Sequence, residues 1–299
     1  MDHIKIGTAS WTDKTLIDSG TFYPARVRTA EARLRFYAAH FDTVEVDSSY
    51  YGMPSERNAR LWVERTPETF TFHMKAYSIL TGHPTRIQAV PQVLRKELPQ
   101  ALTEQARPKD FPKEIVEAAF DMFAAAVSPL KQAEKLGCIL FQFPPWFVPS
   151  DRAYQWLELV HEKLARYRVA VEFRNRHWLA SPSKEKALDF LRDHCFCHVV
   201  LDAPWLEGWQ GPQAVTAPVA YVRLHGRNRQ NWFKKGIETV QRYRYLYTDE
   251  EINTWAENVQ EIARRAEQTF VLFNNCYQDY GIRNAQALKS ALEASNTKS

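Results

Sequence analysis

Thr43-Val44-Glu45-Val46-Asp47-Ser48-Ser49-Tyr50-Tyr51 decides how the rest of the chain is read, because apolar and acidic residues alternate and the run then breaks into serines and tyrosines. Successive strand side chains point to opposite faces, so Val44 and Val46 share one face while Glu45 and Asp47 share the other. Two carboxylates on one face of an apolar strand are costly in a core unless something compensates them. Short segments of this kind recur at 4–8, 69–76, 138–143, 168–174, 197–202, 219–225 and 270–275.

Helical spacing separates nearly all of them, over 29–40, around Leu61, Trp62 and Arg65, and over 113–135, 151–167, 184–194, 248–267 and 283–294. Ser150 is placed to cap one of these helices, and Thr248 with Glu251 three residues on forms a capping box for another. Gly137 is expected to stop one helix and start the next strand. No long helix follows 197–202, and 203–218 reads as a loop. Strands alternating with helices imply a parallel sheet, and eight such units in 299 residues predict an α/β fold, a (β/α)8 TIM-like barrel. A doubly wound open sheet competes, but Gly7-Thr8-Ala9-Ser10 is not the glycine-rich phosphate turn that such folds carry after their first strand. A single domain over 1–299 is expected, with an inserted excursion at 77–112 after the third strand and a basic aromatic loop at 226–247 after the seventh.

A chain with 45% hydrophobic and 13% aromatic residues can build a full core. Its net charge of +4 is too mild to imply a polyanion partner, but the distribution is uneven. Between Arg223 and Arg244 stand seven Lys or Arg against Glu238 alone, so the basicity is local. Four cysteines, Cys138, Cys195, Cys197 and Cys276, are too few for a disulfide framework and read as reduced. No early apolar run resembles a signal peptide and none approaches a membrane span, so a cytoplasmic location is expected and no membrane partner.

In a barrel of this kind the active site lies at the C-terminal ends of the strands. Parity there gathers Thr8 and Ser10, Glu45 and Asp47, His73 and Lys75, Gln142, Glu172 and Arg174, Asp202, Arg223 and His225, and Asn274. A purely structural ion-pair network is the competing reading, yet buried ion pairs gain little over apolar replacements. Glu45, Lys75, Glu172, Arg174, Asp202, Arg223 and His225 are therefore the catalytic candidates.

Aromatic residues follow every strand, among them Trp11, Tyr50, Trp146, Trp178 and Tyr277, and suggest stacking walls for a sugar or a base. With Asp47, Gln142 and Asn274 they are the substrate-binding candidates. Arg227 and Arg283 join them as anion contacts, because each sits by a glycine in the loops where barrels often bind phosphate. Glu45, Glu172, Asp202 and His225 could hold a divalent metal, although the neighbouring Lys75, Arg174 and Arg223 could neutralise those carboxylates instead. His194-Cys195-Phe196-Cys197-His198 has metal-like residues but falls at the opposite, stability face, where buried reduced cysteines are expected.

Ile6-Gly7-Thr8-Ala9-Ser10-Trp11, residues 41–51, Leu140-Phe141-Gln142-Phe143-Pro144-Pro145, Val171-Glu172-Phe173-Arg174, Tyr221-Val222-Arg223-Leu224-His225-Gly226-Arg227 and Phe273-Asn274-Asn275 together resemble the YecE-like proteins, the domain-of-unknown-function family numbered seventy-two. Asp47 and Ala9 depart from the pattern, where Asn and Gly or Ser are more usual. The resemblance spans nearly the whole chain and implies a TIM-like barrel without implying a reaction.

Two functions fit these residues. One is an enzyme acting on a phosphorylated sugar, a nucleotide or nucleic acid, with Glu45 or Glu172 as general base, Lys75 or His225 as acid or electrophile, and Arg174 and Arg223 stabilising negative charge. The other is a non-catalytic binder of nucleotides or nucleic acid, in which the 226–247 loop tracks phosphates and the aromatics stack bases.

Overall fold

Short runs of branched and aromatic residues become the parallel strands in the computed structural model of the protein, which describes residues 3–99, 104–206 and 211–296. They are β1 Ile4–Ala9, β2 Thr43–Val46, β3 Thr71–Lys75, β6 Leu136–Phe143, β7 Val169–Phe173, β8 Cys197–Asp202, β9 Val219–Leu224 and β10 Gln268–Phe273. Two-residue strands, β4 Thr85–Arg86 and β5 Gln105–Ala106, pair antiparallel inside the excursion. The eight long strands close into a parallel (β/α)8 barrel in the order β1-β10-β9-β8-β7-β6-β3-β2. Residues 100–103 of the excursion and 207–210 of the loop after β8 lie outside the described residues.

The chain divides into two compact units, 1–45 with 197–299, and 46–196. In the first, β9 is central among β1, β10 and β8, and its register decides which side chains share a face. Tyr221 lies beside Val199 and Phe270, and Arg223 beside Leu201 and Leu272, while Ala9 pairs with Glu45. The opposite face is covered by helices. Tyr37 of the helix Ala30–Ala38 reaches the Thr8 hydroxyl at 2.8 Å, and Trp255 of the helix Asp249–Ala263 donates to Asp202 at 2.9 Å. The Thr248–Glu251 capping box opens that second helix as the sequence predicts.

In the second unit β6 runs between β3 and β7. Its apolar face builds an aromatic stack: Phe143 lies 4.1 Å from Phe147, and Phe173 lies 4.3 Å from Trp178 between ring centroids. The helix before β6, Lys113–Gln132, ends earlier than its glycine suggests. Glu134 takes the left-handed backbone (φ 57°) and Gly137 lies inside the strand. A Cβ on Gly137 would run into the His73 imidazole and the Thr71 methyl, so the glycine is there for close approach and not for helix termination. Ser150 caps the helix Asp151–Leu164 as expected, accepting from Ala153 N–H at 3.3 Å.

Three further readings are corrected. β2 ends at Val46, and Asp47 turns into the helical region (φ −82°, ψ −19°) to lead the short helix Ser48–Tyr51, so strand parity no longer aligns it with Glu45. Thr8 and Asp202 lie on the helix-covered face: Asp202 is in register with Leu224, not with Arg223, and β1 presents Gly7 and Ala9 to the other side. Of the paired cysteines, Cys197 is buried but Cys195 is exposed.

Candidate functional site

At the end of β9, in the first unit, Arg223 grips Glu45 with two nitrogens: Nη2 donates to Oε1 at 2.6 Å and Nε to Oε2 at 3.0 Å. The Tyr221 hydroxyl donates to the same Oε2 at 3.0 Å. All three side chains are buried, so the pair is held in a low-dielectric setting by charge-assisted, bidentate bonds. Arg223 also extends Nη1 to 3.3 Å from His225 Nε2, and the Asn274 amide lies 2.8 Å from Nδ1. The guanidinium and the Asn274 amide nitrogen both only donate, so each ring nitrogen of His225 faces a donor and a neutral imidazole accepts from one of them at a time. Cys276, half-buried just beyond β10, donates its thiol hydrogen to the Ala9 carbonyl at 3.0 Å.

Glu45 is thus chemically committed, which argues against its being a general base. Asp202 takes three donors: Arg227 Nε at 2.9 and 3.0 Å, Arg227 Nη2 at 2.7 Å and Trp255 Nε1. Arg227 is further held by Glu251 at 2.7 Å, so its charge is matched by two carboxylates. This network ties the 226–247 loop to the body, and Glu251 also accepts from Tyr245 at 2.7 Å. Among the described residues no three His, Cys, Asp or Glu side chains assemble as metal ligands. Asp202 is separated from Glu45 and His225 by the pleat of the sheet.

In the second unit, Glu172 at the end of β7 is fully buried and accepts from Gln142 Nε2 at 2.7 Å. Arg174 Nε lies 3.8 Å from Glu172 Oε1. The Lys75 ammonium stands 4.7 Å from the centre of the Tyr50 ring. Edge-on to Tyr50, at 5.2 Å, is His83, whose ring is also 5.8 Å from Trp146. Thr81 Oγ1 donates to the Ser78 carbonyl and lies 2.8 Å from His83 Nδ1, so it accepts the Nδ1 hydrogen and leaves Nε2 as the lone-pair nitrogen. Burial first, then the positive charges of Arg174 and Lys75, push the His83 pKa down to about 3. Burial raises Tyr50 to about 12, against the opposing pull of Arg174. Trp146 is 61% exposed and presents a flat ring to solvent.

The remaining candidates separate cleanly. Trp178 is wholly buried in the aromatic stack, with its indole N–H donated to the Phe147 carbonyl at 2.7 Å, and Trp11 is buried too. Tyr277 lies under the Arg244 guanidinium at 5.0 Å. Arg283 projects into solvent from the first turn of the helix Tyr280–Asn296. His73 accepts from Cys138 N–H at 3.0 Å and serves the β3–β6 junction. Sequence reasoning missed His83, which sits in the irregular excursion where no periodicity marks it, and Tyr221, which parity with Arg223 could have supplied.

The family profile described as "Protein of unknown function DUF72" matches residues 5–299. The chain is 33% identical over 279 residues to the UPF0759 protein YunF of Bacillus subtilis strain 168, covering 91% of this chain and 88% of that one. A DUF72 family structure from Thermotoga maritima MSB8 is similar at 32% identity and TM-score 0.76, covering 97% and 99% of the two chains. Another, from Enterococcus faecalis V583, is similar at 25% identity and TM-score 0.78, covering 97% and 95%. With the barrel, the strand-end blocks and these relatives in agreement, the chain belongs to the DUF72 family.

Proposed function

We propose that the protein is an enzyme of the isomerase or hydrolase type that moves a proton on a phosphorylated sugar or a nucleotide, at the ends of β3, β6 and β7. The observation that carries this reading is His83, kept neutral beside two cations and flanked by Tyr50 and the exposed Trp146. Burial is the larger cause of that neutrality, and the positive charges of Arg174 and Lys75 that add to it also favour an anion. Lys75 and Arg174 hold the phosphate, and Trp146 with Tyr50 stacks on the sugar or base. Glu172, oriented by Gln142, takes the proton, and Lys75 is the group able to return one. Glu172 is taken as the base because it stands at the end of β7 in the same unit as His83, Lys75 and Tyr50, beside Arg174.

The test is a product assay on phosphorylated sugars and nucleotides, with and without Mg²⁺, Mn²⁺ or Zn²⁺. Glu172→Gln should lower turnover by at least ~100-fold, the usual worth of a general base, while leaving ligand binding within a few-fold of the parent. Lys75→Ala with Arg174→Ala should weaken binding itself. Ligand binding without turnover under every condition, unchanged in Glu172→Gln, would instead establish a non-catalytic binder.

A further inference from the structure

Five cations, Arg229, Lys234, Lys235, Arg242 and Arg244, stand between 228 and 247 against one acid, Glu238. Arg223 and Arg227, the other two cations of the stretch, are matched by Glu45 and by Asp202 with Glu251, and so do not contribute to its surface charge. The segment is built as a small rigid hairpin. Its two short helices, Arg229–Trp232 and Thr239–Arg242, are held by Asn228 Nδ2, which donates to the Gln241 and Arg244 carbonyls at 3.0 and 2.8 Å. Trp232 anchors the hairpin through Trp205 at 4.8 Å and Tyr243 at 5.3 Å. Next to that anchor Phe233 leaves 65% of its surface in solvent, with Lys234 and Lys235 exposed beside it.

Phe233 offers an open aromatic face with Lys234 and Lys235 exposed beside it, the pairing of stacking ring and positive charge that single-strand binders use. We propose that this hairpin docks single-stranded nucleic acid, with Phe233 stacking on a base and Lys234, Lys235, Arg229 and Arg244 following the phosphates. Stacking platforms beside basic residues suit single strands, because every base offers a flat face once it is unpaired. Duplex reading requires an element able to enter a groove, and four-residue helices are too short for that. Insertion into a lipid surface requires a continuous apolar helical face, which such helices lack. The inference is independent of the small-molecule reading above, since it rests on different residues in the other unit.

Fluorescence anisotropy of the full chain with labelled twelve-nucleotide oligo-dT and oligo-rU, across a salt series, tests it. Binding should weaken steeply with salt. Phe233→Ala should lower affinity roughly 5- to 100-fold with the salt slope unchanged, as loss of one stacked base does. Lys234→Ala with Lys235→Ala should reduce the slope by about 1.4, from two lost phosphate contacts on a single strand. Circular dichroism confirms that the exposed substitutions leave the fold intact. No salt-dependent binding at 50 mM salt, affinity indifferent to Phe233→Ala, or tighter binding to a duplex or to phosphatidylserine vesicles would each overturn the proposal.

Discussion

Arg223 meets Glu45 through two nitrogens, and neither side chain has more than 1% of its surface exposed. Such a pair gives little net stability over a well-packed apolar pair, yet removing one partner strands a buried charge. Glu45→Ala should therefore destabilise the protein by about 3–5 kcal/mol in urea unfolding, and Glu45→Leu combined with Arg223→Met should recover most of that. A single substitution costing less than about 1 kcal/mol would show that Arg223 does not depend on Glu45. The pair aims Arg223 Nη1 at His225, so its role is to position a donor rather than to exchange protons. The sequence marked Glu45, Arg223 and His225 as candidates through strand parity alone. It also raised neutralisation of the carboxylates by Lys75, Arg174 and Arg223, but which acid meets which cation depends on cross-strand register and not on the order of residues within one strand.

At the scale of elements, the strands were legible because apolar alternation is a local property, and the capping box at Thr248 was legible for the same reason. Parity failed where a strand stopped early, as at Asp47, or where its face was set by a neighbour, as for Asp202 beside Leu224. Gly137 shows the same limit. Its reading as a helix stop was a reasonable local inference, but the reason for the glycine is the His73 ring packed over it from β3. The register slips between Phe72 and Met74 at this point, and His73 Nδ1 accepts from Cys138 N–H. Gly137→Ala should thus overpack the β3–β6 junction and cost about 1–3 kcal/mol, with part of the loss restored by His73→Ala in the same chain. A Gly137→Ala protein as stable as the parent would mean that the junction yields freely.

For the molecule as a whole, the barrel was readable from eight strand-helix repeats, whereas the second unit's site depended on His83, in a segment with no periodic pattern to read. No helix among the described residues is long and apolar enough to cross a membrane. Two buried imidazoles set an acid limit on stability. His83 is pushed down to about 3, and His198, buried on β8, to about 4, where burial outweighs the upward pull of the Ala214 backbone. An unfolded chain protonates both near 6.5 while the folded protein refuses those protons, so stability should fall as pH drops from about 6.5 toward 4. His83→Asn with His198→Asn should flatten that slope in urea titrations, and an unchanged slope would assign it to carboxylates.

The most direct measurement is an NMR titration of the His83 imidazole in the intact protein, with and without inorganic phosphate. Burial is the larger cause of the His83 depression and persists, but an anion bound by Lys75 and Arg174 cancels the part their charges add, so the account predicts a ring neutral down to about pH 3 alone and a pKa that rises partway when phosphate is added. A His83 that titrates near 6.5, or one indifferent to phosphate, would contradict it.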